Sequence, residues 1–120
     1  MQSNFMNDMN KLYYAIDKAR EIKSAKASLV WWEERRDMNQ GSKQNNRESA
    51  NKVKEAKKRL NSWESAQFIA WYEYTTGSGY YYSEHFPSLP ELNEYFNKYR
   101  SMVIVAIFPV YDSEWVQPHQ

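Results

Sequence analysis

The chain has 120 residues, of which 42% are hydrophobic and 26% charged, and its formal net charge at pH 7 is +1. These values are typical of a single globular domain, residues 1–120, and exclude a chain that is disordered through low hydrophobicity and high charge. The absence of cysteine excludes disulfides and thiolate chemistry. The longest apolar run, Met102 to Val110, is far shorter than the roughly 20 residues that span a bilayer, so we expect a cytoplasmic protein with no membrane partner.

Two long helices are predicted in the first part of the chain. Residues from about Asn7 to Met38 contain neither proline nor glycine, and apolar side chains recur there at steps of three and four residues. Such spacing is typical of one face of an α-helix. A polar segment from Gln40 to Asn46 follows, whose glycine and asparagines favour a helix end and a turn. A second helix with a similar stripe is predicted from about Arg47 to Tyr74.

Helices joined by so short a loop are expected to form a long antiparallel hairpin over residues 1–74. Folding the chain about residue 43 sets Val30 opposite Ala56 and Ala15 opposite Trp71. Large side chains then meet small ones along the seam, as close packing requires. The predicted fold class is therefore mainly α, of the α+β type.

Residues 75–120 are predicted to form a smaller, aromatic-rich α/β extension packed on this hairpin. Ser88 and Glu91 have the spacing of a capping box, which predicts a helix from Pro90 to Tyr99. The β-branched run from Met102 to Phe108 predicts a buried strand, and its only evident strand partner is the run Tyr80–Tyr82. The extension is thus expected to be a strand, a helix and a strand, with a loose tail from about residue 112.

Five aromatic residues are predicted to bind a partner protein. Trp31 and Trp32 fall outside the predicted stripe of the first helix, and strand alternation exposes part of the run Tyr80, Tyr81 and Tyr82. Tryptophan and tyrosine dominate the hot spots of protein interfaces. The alternative for all five is burial in an ordinary core.

A row of basic residues lies on the second predicted helix, opposite its apolar stripe: Arg47, Lys54, Lys57 and Lys58. Such a row can follow a phosphate backbone, but a solvated helix face has the same pattern. No helix-turn-helix, zinc-finger or RNA-recognition motif accompanies it. Residues 1–74 carry a net charge of +4 and residues 75–120 one of −3, which favours a mixed-charge partner over a nucleic acid.

Catalytic chemistry has little support in the sequence. Glu84 and His85 combine a carboxylate with a group that titrates near neutrality, but adjacent residues of an extended segment point to opposite faces. His119 lies in the predicted loose tail, and no metal-ligand spacing, nucleophile elbow or phosphate-binding glycine loop is present. We therefore expect no enzyme, with no catalytic residue, metal or cofactor.

The function predicted from these observations is a non-enzymatic protein-binding module. A stoichiometric inhibitor or immunity-type protein of a phage or other mobile element fits the small size and the composition rich in asparagine, lysine and tyrosine. One alternative is nucleic-acid binding through the basic row. Another is a structural homodimer in which the Met102–Phe108 strand pairs with its symmetry mate.

Overall fold

The computed structural model describes residues 2–38 and 43–115, which form four helices and a three-stranded antiparallel sheet of mixed α+β class. The elements in chain order are α1 (Gln2–Ala15), α2 (Lys18–Met38), α3 (Lys43–Ser65), β1 (Phe68–Glu73), β2 (Tyr82–Phe86), α4 (Leu89–Lys98) and β3 (Val103–Pro109). The predicted turn at Gly41 and the candidate His119 lie outside the described residues.

Contacts divide the chain into two compact units. The sheet unit consists of Met1–Lys18 and Ser65–Gln120, and the helical unit consists of Ala19–Glu64. The predicted single domain over residues 1–120 stays a prediction.

The sheet has the strand order β2-β1-β3, with β1 antiparallel to both neighbours. All residues of β1 except Phe68 are buried, as expected for a central strand covered on both faces. Helix α4 packs on one face and forms a buried cluster with the strands: Ala70, Tyr72, Phe86, Leu92 and Phe96. This cluster is the apolar core of the sheet unit.

The helix predicted from the capping box at Ser88 and Glu91 is confirmed as α4. The hydroxyl of Ser88 accepts a hydrogen bond from the N–H of Glu91 at 3.4 Å, which satisfies one of the free N–H groups at the helix start. Pro90 lies in the first turn, where a missing N–H costs no helical hydrogen bond. The helix spans Leu89–Lys98, within one residue of its predicted bounds at both ends.

The second predicted helix is wrong at both ends. Helix α3 begins at Lys43 rather than Arg47 and ends at Ser65, and the residues after it form β1. The N–H of Gln67 donates to the carbonyl of Phe86 at 2.9 Å, so this residue belongs to the sheet and not to a helical stripe. The sequence FIAWYE has high strand propensity, and pairing on both sides overrides the helical spacing. Trp71 therefore lies in a strand and not on a helical seam.

The first predicted helix is also wrong, because it is two helices. Helix α1 ends at Ala15 and α2 begins at Lys18, and Asp17 between them forms a β-bridge with Tyr111. The N–H of Lys18 donates to the carbonyl of Tyr111 at 2.8 Å. The hydrogen bond that would continue the first helix is thus replaced by one to a distant segment. Neither glycine nor proline marks the break in the sequence.

The predicted pairing of Tyr80–Tyr82 with Met102–Phe108 is wrong, because β1 lies between β2 and β3. Strand β3 is an edge strand, and its side chains are exposed or half-buried rather than buried. The sheet therefore does not consist of a C-terminal strand, helix and strand, since its central strand comes from the predicted hairpin. The predicted loose tail is described only to Trp115.

In the helical unit, α2 and α3 are in side-chain contact. The Nη2 atom of Arg59 lies 3.7 Å from Oε1 of Glu21 and 3.5 Å from Oγ of Ser24. The buried residues of this unit are Ala25, Ser49, Val53, Ala56 and Trp63. Val30, which was predicted to face Ala56, is 52% exposed, so this pair of the predicted register is wrong and the long hairpin is not confirmed.

Candidate functional site

Trp31 and Trp32 lie in the C-terminal half of α2 and contact each other edge to face. Their ring centroids are 4.6 Å apart and their planes meet at 86°. Adjacent residues of a helix project about 100° apart, so the two rings cover a broad sector of the helix surface. Trp31 is 49% exposed and Trp32 is half-buried. One ring is therefore open to solvent while the other is fixed against the helical unit.

The two rings line a groove of about 460 Å³ between α2 and α3, which we call the tryptophan groove. Its walls are Trp31, Trp32 and Arg35 on α2 and, on α3, Glu48, Ser49, Asn51, Lys52 and Glu55. A smaller hollow of about 190 Å³ shares Trp32, Lys52 and Glu55 with it and extends along the same two helices. The hydroxyl-bearing Ser49 at the groove is buried.

Two basic side chains lie over the indole rings. The Cζ atom of Arg35 is 4.8 Å from the ring centroid of Trp31, and Nζ of Lys52 is 5.9 Å from that of Trp32. Both distances are within the range of a cation–π contact. Nζ of Lys52 also lies 3.5 Å from Oε2 of Glu55, whereas Arg35 forms no ion pair within the described residues. The groove thus has aromatic walls and a charged rim, the arrangement of a protein interface with an aromatic centre.

The three tyrosines predicted to bind a partner lie in the other unit. Tyr80 and Tyr81 are exposed in the turn before β2, and Tyr82 begins that strand. The ring of Tyr82 stacks on that of Tyr72 with centroids 5.8 Å apart. Burial, together with a hydrogen bond to Tyr74, raises the pKa of Tyr72 to about 12. The five predicted partner-binding residues are therefore divided between two units.

The turn that carries these tyrosines is fixed by a buried carboxylate. One oxygen of Glu73 accepts a hydrogen bond from the N–H of Gly77 at 2.8 Å, and the other accepts one from the hydroxyl of Ser78 at 3.3 Å. Gly77 has a φ of +78°, a backbone conformation that residues with a Cβ atom rarely adopt. Glu73 and Gly77 together set the path of the chain towards Tyr80.

The predicted basic row is exposed along α3. Arg47, Lys54, Lys57 and Lys58 are all exposed, which confirms their predicted outward direction. In the described part of the chain none of them forms an ion pair. The row does not contribute to the tryptophan groove.

Glu84 and His85 do not share a site. Glu84 pairs with Ala70 of β1 and His85 with Ile69, so their side chains point to opposite faces of the sheet. Burial raises the pKa of Glu84 and lowers that of His85, which disfavours the charged form of each group. Among residues 2–38 and 43–115 no cluster of three or more histidine or acidic side chains could hold a metal ion.

Sequence reasoning found the tryptophans but missed the residues around them. Ser28, Trp32 and Arg35 recur on α2 at steps of four and three residues, and Glu48, Lys52 and Glu55 recur in the same way on α3. This spacing places each set on one helix face, which is a detectable signal. Because every member of the two sets except Trp32 is polar or charged, the spacing resembles that of an ordinary solvated face.

Comparison with known proteins gives no assignment. No protein-family model matches the chain, and no curated protein or solved structure matches it either. None of the described helices has the length and apolar character needed to cross a membrane. Functional inference for this chain therefore depends on its own side chains.

Proposed function

We propose that the protein is a non-enzymatic protein-binding module whose partner binds in the tryptophan groove. The observation that carries this proposal is the half-exposed ring of Trp31, packed edge to face on Trp32 and covered by Arg35. Tryptophan and arginine are among the residues most enriched at interface hot spots. A groove of about 460 Å³ falls within the size range of concave binding sites in proteins.

The proposal includes the pairing of α2 and α3 as an antiparallel hairpin, because a groove needs two fixed walls. Two contacts support this pairing. Glu21 near the start of α2 lies beside Arg59 near the end of α3, and Trp32 near the end of α2 lies beneath Lys52. The order of these contacts along the two helices is that of an antiparallel pair.

We further propose that this module acts as a stoichiometric inhibitor or immunity-type protein, encoded by a phage or another mobile element and located in the cytoplasm. Its small size and its content of 17% aromatic residues support this form of action. Aromatic side chains supply large contact areas at little cost in conformational entropy, which suits a small protein that must bind through one surface.

The experiment that tests the proposal is affinity capture from a lysate of the native host with four immobilised proteins. These are the wild type, Trp31→Ala, Trp32→Ala and the control Tyr14→Ala, which removes a ring that is 56% exposed in the sheet unit. A partner that binds the wild type and the control, but loses about 2 kcal/mol or more with Trp31→Ala, supports the groove as the site. A partner that both Trp31→Ala and Trp32→Ala retain contradicts it.

A second candidate function, nucleic-acid binding, is favoured by the basic row. Its four exposed cations have no ion pair in the described part of the chain, so each is available to a phosphate. Fluorescence anisotropy with a single-stranded and a duplex oligonucleotide at two salt concentrations tests it. Phosphate contacts make affinity fall steeply with salt, and a lack of binding at low salt removes this candidate.

The homodimer alternative has less support. The pairing of β1 with β3 shifts register between Trp71 and Tyr72, which leaves Val105 as an extra residue on the edge strand. A bulge of this kind bends an edge and opposes its further pairing. Light scattering that gives the mass of a dimer would restore this alternative.

A further inference from the structure

We propose that the tryptophan groove binds a protein segment in which a carboxylate lies next to a large apolar side chain. In this arrangement Arg35 binds the carboxylate and the rings of Trp31 and Trp32 pack against the apolar group. The inference rests on the proposed function and specifies the chemistry of the partner.

Arg35 is prepared for a carboxylate by its contact with Trp31. The guanidinium carbon lies 4.8 Å from the ring centroid, over the face of the indole. A guanidinium has five N–H donors, and Arg35 forms no ion pair within the described residues, so donors remain for a carboxylate. Because the contact with the ring already restricts the side chain, less entropy is lost when two parallel hydrogen bonds form to a carboxylate.

Among the side chains that the structure describes, one groove charge of each sign forms no ion pair. Lys52 is paired with Glu55, whereas Arg35 on α2 and Glu48 on α3 form no ion pair with any residue that the structure describes. A partner complementary to both walls therefore carries an acid for Arg35 and an N–H donor or a base for Glu48. Protein segments with mixed charge meet this requirement.

The same charges oppose a polyphosphate ligand. The four charged residues that line the groove, Arg35, Lys52, Glu48 and Glu55, sum to zero net charge. A nucleic-acid backbone repeats its negative charge at every nucleotide, so some of its phosphates would lie beside Glu48 or Glu55. Like charges in contact disfavour such a complex. The carboxylate of a protein segment occurs once and can be placed at Arg35 alone.

The aromatic part of the groove determines what stands beside the carboxylate. Trp31 is half-exposed although it is apolar, and burying it in a complex is favourable in proportion to the area removed from water. The groove runs between two helices, and this is the form of site that accepts anchoring residues of an amphipathic segment. We therefore expect leucine or phenylalanine next to the acidic residue.

The test compares two fluorescein-labelled libraries of short peptides by anisotropy. One library has a central Leu-Asp-Leu and the other a central Leu-Asn-Leu, and single-stranded oligothymidylate serves as a purely anionic probe. We expect the Asp library to bind the wild type about tenfold more tightly than the Asn library, since a charge-assisted bidentate pair is lost in the second. Equal or absent binding of the two libraries, or tighter binding of oligothymidylate, overturns the inference.

The variant Arg35→Gln removes the charge and should abolish the preference for Asp over Asn. Its matched control is Arg36→Gln, which changes the next residue of α2, outside the groove and paired with Asp37 at 3.6 Å. A preference that survives Arg35→Gln, or that Arg36→Gln removes equally, contradicts the role of Arg35. Circular dichroism of both variants establishes that they are folded.

The captured partner separates this inference from the proposed function. If binding of that partner is lost with Trp31→Ala but not with Arg35→Gln, the groove binds a protein through its rings, and only the inference about the carboxylate fails. If neither substitution weakens binding, the proposed function fails as well. Loss with both substitutions, and retention with Arg36→Gln, supports the two together.

Discussion

Ser113 donates two hydrogen bonds to Asp17, one from its N–H to Oδ1 at 3.0 Å and one from its hydroxyl to Oδ2 at 2.7 Å. The two residues are 96 positions apart in the chain. Because Asp17 lies between α1 and α2, a segment close to the C-terminus helps to decide where the first predicted helix is interrupted. The described segment around Ser113 therefore belongs to the sheet unit and is held there by its hydrogen bonds to Asp17.

Asp17→Asn should destabilise the protein by about 1–3 kcal/mol, because an amide can no longer accept both hydrogen bonds from Ser113. The measurement is the free energy of unfolding in urea. The control is Asp8→Asn, which changes an exposed aspartate of α1 and should alter that free energy by less than about 0.5 kcal/mol. Equal values for the two variants would show that the bonds to Ser113 contribute nothing.

Leu92→Ala should cost about 2–5 kcal/mol, since Leu92 is fully buried beneath the sheet and its removal leaves a cavity. Leu89→Ala is the matched control, because Leu89 is an exposed leucine of the same helix. Thermal unfolding of both variants measures the difference. A Leu89→Ala protein that is as unstable as Leu92→Ala would place the core of the sheet unit elsewhere.

Gly77→Ala should destabilise the turn by about 1–2 kcal/mol, the cost of a Cβ atom in a left-handed conformation. No other group lies within 4 Å of the added atom, so the cost comes from the backbone alone. Gly77→Asn should cost less, because asparagine tolerates this conformation better than alanine does. Urea denaturation of the two variants decides the order, and alanine at or above the stability of asparagine would contradict it.

His85 should make the protein less stable in mild acid. Burial lowers its pKa from the ordinary value of 6.5, so the unfolded chain takes up a proton at a higher pH than the folded protein does. The neutral form of His85 therefore contributes fully to the free energy of unfolding above pH 6.5, and this contribution is lost as the pH falls through the lowered pKa. Urea denaturation at several pH values between about 7 and about 5 should show a smaller loss for His85→Asn than for the wild type.

Glu84 should have the opposite effect in the same experiment. Burial raises its pKa above the ordinary value of 4.5. The neutral form of Glu84 therefore contributes fully to the free energy of unfolding at low pH, and this contribution is lost as the pH rises through the raised pKa. Glu84→Gln should therefore steepen the loss of stability on acidification. A variant with a flatter pH profile than the wild type would show that Glu84 is not the group responsible.

Helix α4 was predictable because its signals are local. The Ser88 cap, Pro90 in the first turn and the spacing of Leu92 and Phe96 all lie within the helix or next to it. The break at Asp17 and the strand β1 were not predictable in this way, because their hydrogen-bond partners lie far away in the chain. For Ile69 and Trp71 the same residue types suit a helix face and a buried strand, and only the neighbouring strands decide between them.

The candidate site likewise has features that the sequence predicts locally and features that depend on how the helices pack. Trp31, predicted to lie outside the apolar stripe of its helix, is 49% exposed, whereas its binding role stays a prediction. Arg35 and Glu48 were not found, because their importance depends on which side of α2 meets α3. Successive residues of a helix project about 100° apart, so Val30 and Trp32 lie about 160° apart around α2, and a rotation of nearly half a turn exchanges them at the interface. Residue spacing in the sequence identifies the faces of each helix, but it does not indicate which face of α2 contacts α3.

The helical unit is inserted into the sheet unit, since Ala19–Glu64 separates α1 from β1. During synthesis the whole helical unit is made before any strand of the sheet, and its contact between Glu21 and Arg59 joins residues much closer in sequence than Asp17 and Tyr111. Helix α1 is made before the helical unit, but the Tyr111 and Ser113 groups that bind the residues after it are made only after β3. Contacts between such distant segments form slowly. The nascent chain therefore completes its helical part before it joins α1 to the sheet, since that step requires the segment that follows β3.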